Sequence, residues 1–203
     1  PCNLRCDHCF ATAFSRSGPE ARKLSIDDYR RIGEQCRKLG AISFSFQGGE
    51  PFLFLDRLEK IIAVFKPRSS LISVTTNGTL CTRENILRLK RAGVDIFTVS
   101  IDSLIPGEHD LFRGVPGSLE KTLRSVDLAL EAGIRVTIGT TVSHANVRSA
   151  GLKEVMAFAR RKKCLLVFAM AAAAGKWQDR TDLLLTPDDL ELIDRYCRNN
   201  PYV

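Results

Sequence analysis

No uninterrupted apolar run in this sequence approaches the roughly 18 residues that a membrane-spanning helix needs. No charged-then-apolar leader opens the chain either. The two absences lead to the expectation of a cytoplasmic protein without a membrane partner. At 203 residues the chain is too short for two full domains but long enough for one sizeable core. Basic residues exceed acidic ones, giving a net charge of +7, yet they are not concentrated. Arg30, Arg31, Arg37 and Lys38, then Arg88, Lys90 and Arg91, then Arg160 to Lys163, are each expected toward a helix end, where cations complement the helix dipole. Only the last is a continuous run. The scatter argues against a nucleic-acid partner and leaves an anionic substrate or cofactor compatible.

What is present is an alternation of helix and strand patterns. Ser25 with Asp28 marks a helix start, with Ile26, Tyr29, Ile32, Cys36 and Leu39 recurring at three and four up to Gly40. A strand over 42–46 follows, then a helix capped by Asp56 and ended before Pro67, and a strand over 71–75. The pattern continues with a helix over 82–92, a strand over 95–101, a helix from Ser118 to Gly133 and a strand over 135–142. A helix over 147–162 and a strand over 164–169 complete it. Repeated βα units of this length predict a parallel sheet with helices outside, either open or curled into a barrel. Strands rich in Val, Ile, Phe and Thr suggest a sheet covered on both faces. Beyond Ala169 the pattern changes. Residues 171–182 are small or polar, and Thr186-Pro187-Asp188-Asp189 starts a last helix.

Seven cysteines are present, and in a reducing compartment clustered cysteines read as metal or catalytic sites. Cys36 and Cys164 are expected to be small buried hydrophobes, and Cys81 and Cys197 are likewise isolated. Cys2, Cys6 and Cys9 alone form a constellation, spaced C-x3-C-x2-C. Iron–sulfur clusters are ordinarily held by four cysteines, so three on one loop can hold three corners and leave one iron open.

In α/β proteins ligands sit at the carboxyl ends of strands, so the strand tips are the places to look. After 42–46 comes Gln47-Gly48-Gly49-Glu50-Pro51, which reads either as a plain glycine-rich turn or as backbone brought close to a ligand beside a carboxylate. After 71–75 comes Thr76-Asn77-Gly78, a common turn pair. At the end of 95–101 sit Ser100 and Asp102, either loop-capping groups or polar groups facing a cleft.

Taken together, CNLRCDHC, GGEP one βα unit later, then TTNG and VSID resemble the radical S-adenosylmethionine enzymes over about residues 1 to 170. The resemblance implies a partial (β/α)6 TIM-like barrel whose first strand is missing from these residues. It implies a [4Fe–4S] cluster on Cys2, Cys6 and Cys9 as metal ligands, and S-adenosyl-L-methionine chelating the open iron. Gly48, Gly49 and Glu50 would meet the methionine amino group, with Asn77 beside them. Ser100 and Asp102 would reach the ribose or carboxylate. Arg113, otherwise an ordinary surface arginine, would take the carboxylate. Thr140 and Val142 would border the adenosine if they are not simply core. Reductive cleavage to a 5′-deoxyadenosyl radical, then hydrogen abstraction from a substrate, would follow. An electron donor such as ferredoxin or flavodoxin would feed the cluster.

His8 is expected to pack over the cofactor, and His109 and His144 to stand solvated in loops. Trp177 reads as a cover for the core edge or as a substrate wall. Residues 171–203 resemble the connector toward a C-terminal domain with auxiliary clusters, of the SPASM or twitch type, found in peptide maturases and haem-biosynthesis enzymes. The expected division is therefore 1–170 core and 171–203 connector. A peptide or protein is the leading substrate class and a tetrapyrrole the second; other small molecules stay open. The rival from another class is a structural zinc module, which needs four closed ligands and lacks an obvious fourth.

Overall fold

The computed structural model describes residues 1–12, 24–65 and 70–202. Five strands, β1 (Ser43–Phe46), β2 (Leu71–Thr76), β3 (Ile96–Ser100), β4 (Arg135–Val142) and β5 (Leu165–Met170), lie in the order β1-β2-β3-β4-β5 with every pairing parallel. Helices link them: α1 (Ile26–Lys38), α2 (Leu55–Phe65), α3 (Arg83–Ala92), α4 (Pro106–Arg113), α5 (Ser118–Glu131), α6 (Ala150–Lys162) and α7 (Pro187–Arg198). The strands curl into a half-barrel with helices outside, an α/β partial TIM-like barrel. No helix among the described residues is long and apolar enough to cross a membrane.

Local chemistry explains the boundaries. Ser25 accepts from the Asp28 amide while the Asp28 carboxylate accepts from Ser25 N, a reciprocal cap that starts α1. Thr186 and Asp189 repeat it at α7. Asp56 is not the cap the sequence suggests. Pro51, with its fixed φ, begins a 3-10 turn over Pro51–Phe54 that runs directly into α2 and leaves Asp56 inside the first turn. Pro67 lies outside the described residues. The basic groups also divide. Arg37, Lys38, Lys90 and Arg91 occupy last turns, whereas Arg30 and Arg31 pair with Asp27 and Asp28 near the start of α1. Arg88 bridges to Glu59 and Asp56 on α2.

The core lies between the sheet and the helices. Ile72, Val74, Phe97, Val99 and Ile138 are fully buried against Ile62, Ile86, Leu89, Val126 and Val155. Each such side chain contributes roughly 2–3 kcal/mol of burial. Among the described residues, helices pack on one face of the sheet. Exposure alternates along β2 and β3, so residues of the other parity, Ser73, Thr75, Thr98 and Ser100, face a concave side on which no described helix packs. The β-branched threonines that suggested two-sided cover belong to that open side. Behind β4 a smaller cluster of Val142, Val147 and Leu152 takes Ile193 of α7. The Asp189 carboxylate on α7 pairs there with His144 and Arg148.

Candidate functional site

The loop carrying Cys2, Cys6 and Cys9 has no helix or strand of its own and is held by the strand tips around it. Glu50 N donates to Pro1 O at 2.9 Å, beyond β1. Arg5 N and Asp7 N donate to Arg113 O and Phe112 O, at 3.1 and 2.9 Å, at the end of α4. Lys176, beyond β5, donates from its amide to Cys9 O at 3.3 Å and from Nζ to Cys6 O at 2.8 Å. Asn77 Nδ2 donates to Asn3 Oδ1 at 2.9 Å, and Asn3 Nδ2 donates to Thr79 Oγ1 at 2.8 Å.

Gly49, Gly175 and Gly114 set how close this loop comes, the first two most tightly. A Cβ on Gly49 would stand 1.8 Å from Pro1 O, and one on Gly175, at φ +60°, would stand 2.4 Å from Cys9 O. Both contacts are to backbone, so any larger residue must displace the loop.

All three thiols are free of disulfides. Leu4 N lies 3.5 Å and Asn77 Nδ2 3.9 Å from Cys2 Sγ, and Arg113 Nη1 lies 3.9 Å from Cys6 Sγ. Burial pushes both thiols up from their ordinary pKa, and at Cys6 the Arg113 guanidinium pulls back. Soft thiolates with N–H groups against the sulfurs are the donor chemistry of iron–sulfur sites. A structural zinc asks for four donors around one ion. Among the described residues no three His, Cys, Asp or Glu side chains converge in that way. A cube makes a different demand, one thiolate for each iron corner, and this loop can supply three.

The other sequence-predicted residues gather at the tips of β1, β2 and β3. Glu50 is 2% exposed, and its carboxylate is already engaged. Oε1 accepts from Phe52 N at 3.0 Å and from Thr76 Oγ1 at 2.7 Å, and Oε2 accepts from Asn77 N at 2.9 Å. Burial raises its pKa against those three bonds. A carboxylate has about four acceptor sites, so roughly one remains. Ser100 ends β3, half-buried, with no side-chain partner among the described residues. Thr140 and Val142 belong to the core: Thr140 Oγ1 donates to Ile101 O at 2.6 Å, and Val142 lies against α7.

Arg113 and Asp102 form a buried ion pair at 2.6 Å, with Thr141 N donating to Asp102 Oδ1 at 2.9 Å. Burial would raise the Asp102 pKa, but the guanidinium beside it prevails and holds the carboxyl below the usual range. The pair connects β3 and β4 to the cysteine loop through Cys6. Sequence reading placed both residues near a cofactor without joining them, because eleven positions and an unrecognised helix, α4, separate them.

That helix also corrects His109. It is 1% exposed, with Nδ1 accepting from Asp102 N at 3.4 Å, and burial followed by Arg113 lowers its pKa to about 4. His144, expected alone, meets Asp189 at 2.7 Å. His8 stacks on Phe112 with ring centroids 4.4 Å apart, and its buried Nδ1 has no partner among the described residues. Trp177 packs edge-on to Phe112, and its Nε1 donates to Asp7 Oδ2 at 3.1 Å. A cavity of about 660 Å³ opens beside this group, lined in part by Arg5, Asp102, Phe112, Ser143 and Lys176.

Comparison with known proteins gives the family. Residues 2–158 match the family model described as the radical SAM superfamily. An AdoMet-dependent heme synthase of Nitratidesulfovibrio vulgaris is 35% identical over 148 residues, 73% of this chain and 40% of that protein. The antilisterial bacteriocin subtilosin biosynthesis protein AlbA of Bacillus subtilis is 32% identical over 148 residues, 72% of this chain and 32% of that protein. The fold is shared with Streptococcus suis SuiB bound to precursor peptide SuiA, at TM-score 0.77 and 19% identity, over 98% of this chain and 43% of that one. The chain thus spans less than half the length of these relatives. With more than half of its residues matched by the family model, it belongs to the radical S-adenosylmethionine superfamily, enzymes whose cofactors are a [4Fe–4S] cluster and S-adenosylmethionine.

Proposed function

We propose that this chain is the radical-generating core of an enzyme that abstracts hydrogen from a peptide or protein substrate. The observation that carries the reading is the cysteine loop: three free thiols held at the strand tips by backbone contacts that glycines 49, 114 and 175 permit. Cys2, Cys6 and Cys9 serve as cluster ligands in this proposal. The Gly48–Glu50 turn, with Asn77, receives the amino group of S-adenosylmethionine. Ser100 reaches the ribose. Arg113, tethered by Asp102, offers its remaining N–H groups to the carboxylate. When bound, the two cofactors supply one-electron cleavage of a carbon–sulfur bond to a carbon radical. The chain's own part is to orient them, shield them and keep positive charge beside Cys6.

The similarity to the subtilosin biosynthesis protein supports a peptide substrate. The similarity to the heme synthase supports a second reading, side-chain chemistry on a tetrapyrrole, with which the net charge of +7 agrees. Residues 1–170 act as the core, and 171–203 lead toward a further domain. A small electron carrier of the ferredoxin or flavodoxin kind is the reductant.

Anaerobic reconstitution should give a brown protein with about four irons per chain, as expected for a single cube. With dithionite and S-adenosylmethionine it should release 5′-deoxyadenosine, and Cys6→Ser should remove both colour and product. A colourless protein carrying one equivalent of zinc, unchanged by Cys6→Ser, would overturn the proposal.

A further inference from the structure

The two faces of the half-barrel are built from different chemistry, and packing accounts for only one. The helix side carries Ile72, Val74, Phe97, Val99 and Ile138, all fully buried. The concave side carries hydroxyl groups: Ser45 on β1, Ser73 and Thr75 on β2, Thr98 on β3, and Thr137 and Thr141 on β4. The register sets Thr75 beside Thr98 and Thr98 beside Thr137, one row across three strands at about 5 Å spacing. Ser45 sits beside Ser73 one pleat deeper. Gly139 leaves a notch walled by the Thr98 methyl, and exposed Leu165 and Val167 on β5 form an apolar flank.

None of these side-chain hydroxyls has a hydrogen-bond partner among the described residues. Thr137 is the telling member. It is 9% exposed, yet its unpartnered hydroxyl keeps contact with solvent, so a ligand lying on this face can reach it. Closed barrels fill this face with layers of bulky branched side chains. Here serine, threonine and glycine keep it open, directly below Ser100 at the strand tip.

Charge decides the occupant. Along these rows only Arg135, at the exposed foot of β4, is charged. A hydroxyl both donates and accepts without carrying charge, which matches the paired N–H and C=O of an amide. A tetrapyrrole bearing several carboxylates needs cations, and the threonine row has none. We infer that the concave face is a substrate surface that selects an uncharged peptide segment, with Thr75, Thr98 and Thr137 as its specificity-determining residues. The inference rests on the radical-enzyme reading and narrows its substrate.

The test is a nuclear magnetic resonance titration of the full chain with ¹³C-labelled threonine methyls. The probes are the capped neutral peptide acetyl-Asn-Ser-Gly-Gln-amide and, separately, the tetracarboxylate coproporphyrin III. The peptide should shift the Thr75, Thr98 and Thr137 methyls saturably, and coproporphyrin should leave them in place. Thr98→Val, which keeps the side-chain shape, should weaken peptide binding about fivefold, the loss of one neutral hydrogen bond. Ser73→Ala should weaken it similarly. Unmoved methyls, stronger shifts with coproporphyrin, or unchanged affinity in both variants would overturn the inference. Release of 5′-deoxyadenosine is read separately. Its survival beside a failed titration sinks only this inference, and its loss beside intact methyl shifts sinks only the earlier reading.

Discussion

Arg113→Met removes one half of the buried ion pair and leaves the other half in place. Arg113 and Asp102 meet at 2.6 Å with their side chains 8% and 3% exposed, so water cannot substitute for the lost guanidinium. Removing one partner of such a pair costs about 3–5 kcal/mol. Thr141 N still donates to Asp102 Oδ1, which favours the lower end, about 3 kcal/mol. With a urea m-value of about 2–3 kcal/mol/M, the unfolding midpoint followed by circular dichroism should fall by about 1–1.5 M at pH 7.

The pH dependence gives a second check on the same variant. In the native protein the folded Asp102 pKa is depressed, so its contribution is present above the unfolded value near 3.9 and is lost as pH falls below it. Without Arg113, burial dominates and pushes the carboxyl above that value. The deficit of the variant should therefore be largest at pH 7 and should shrink toward pH 5, where protonation relieves the stranded charge. Adding Asp102→Leu should recover most of the loss, because an apolar pair replaces a buried ionic one at little cost. A deficit below about 1 kcal/mol at pH 7, or one that grows toward pH 5, would refute the reasoning from a buried pair.

Gly49→Ala and Gly175→Ala each drive a methyl into cysteine-loop backbone, at 1.8 Å from Pro1 O and 2.4 Å from Cys9 O. Both should cut iron uptake on reconstitution by more than about tenfold, a displacement worth at least ~1.4 kcal/mol at the site, while the far-ultraviolet spectrum stays native. Full iron loading in both would show that the close approach does not govern the loop. His109 has a folded pKa of about 4 against 6.5 unfolded, so its contribution is complete above pH 6.5 and disappears as pH falls through 4. His109 should account for about 3 kcal/mol of the loss over that window in urea titrations, with His8, also lowered to about 4 by burial, adding to it, and His109→Gln should reduce the slope there. An equal slope in the variant would assign the acid sensitivity to other groups.

Local signals in the sequence carried the architecture where they were strong. Ser25 with Asp28 and Thr186 with Asp189 cap helices that begin where their spacing indicates. The βα alternation predicted the parallel sheet, and the family resemblance its curling into a partial barrel. Helix α4 escaped notice because it has eight residues, no side-chain cap at Ile105 and few apolar positions. Missing it put His109 in a loop and hid the Arg113–Asp102 pair. The sheet's two-faced character was present as Ser-Phe-Ser-Phe in β1, yet threonine is also a favoured strand residue, so β2 to β4 read as uniformly buried. The cysteines were legible because their spacing is local. Their anchors at Gly49, Arg113 and Lys176 are brought together only by the curl of the parallel sheet.

Those anchors also set the order in which the molecule can mature. Lys176 and Trp177 reach the cysteine loop across sequence separations of 170 and 171 residues. During synthesis at about 5–20 residues per second, the thiols of Cys2, Cys6 and Cys9 emerge ahead of Lys176 and wait roughly ten to thirty seconds for the far end of their cradle. Throughout that interval the loop lacks its Lys176 and Trp177 contacts, which leaves the thiols more open to oxidation and to stray metal ions. Iron loading onto a finished site is therefore a late event, timed by the arrival of β5 and the segment behind it.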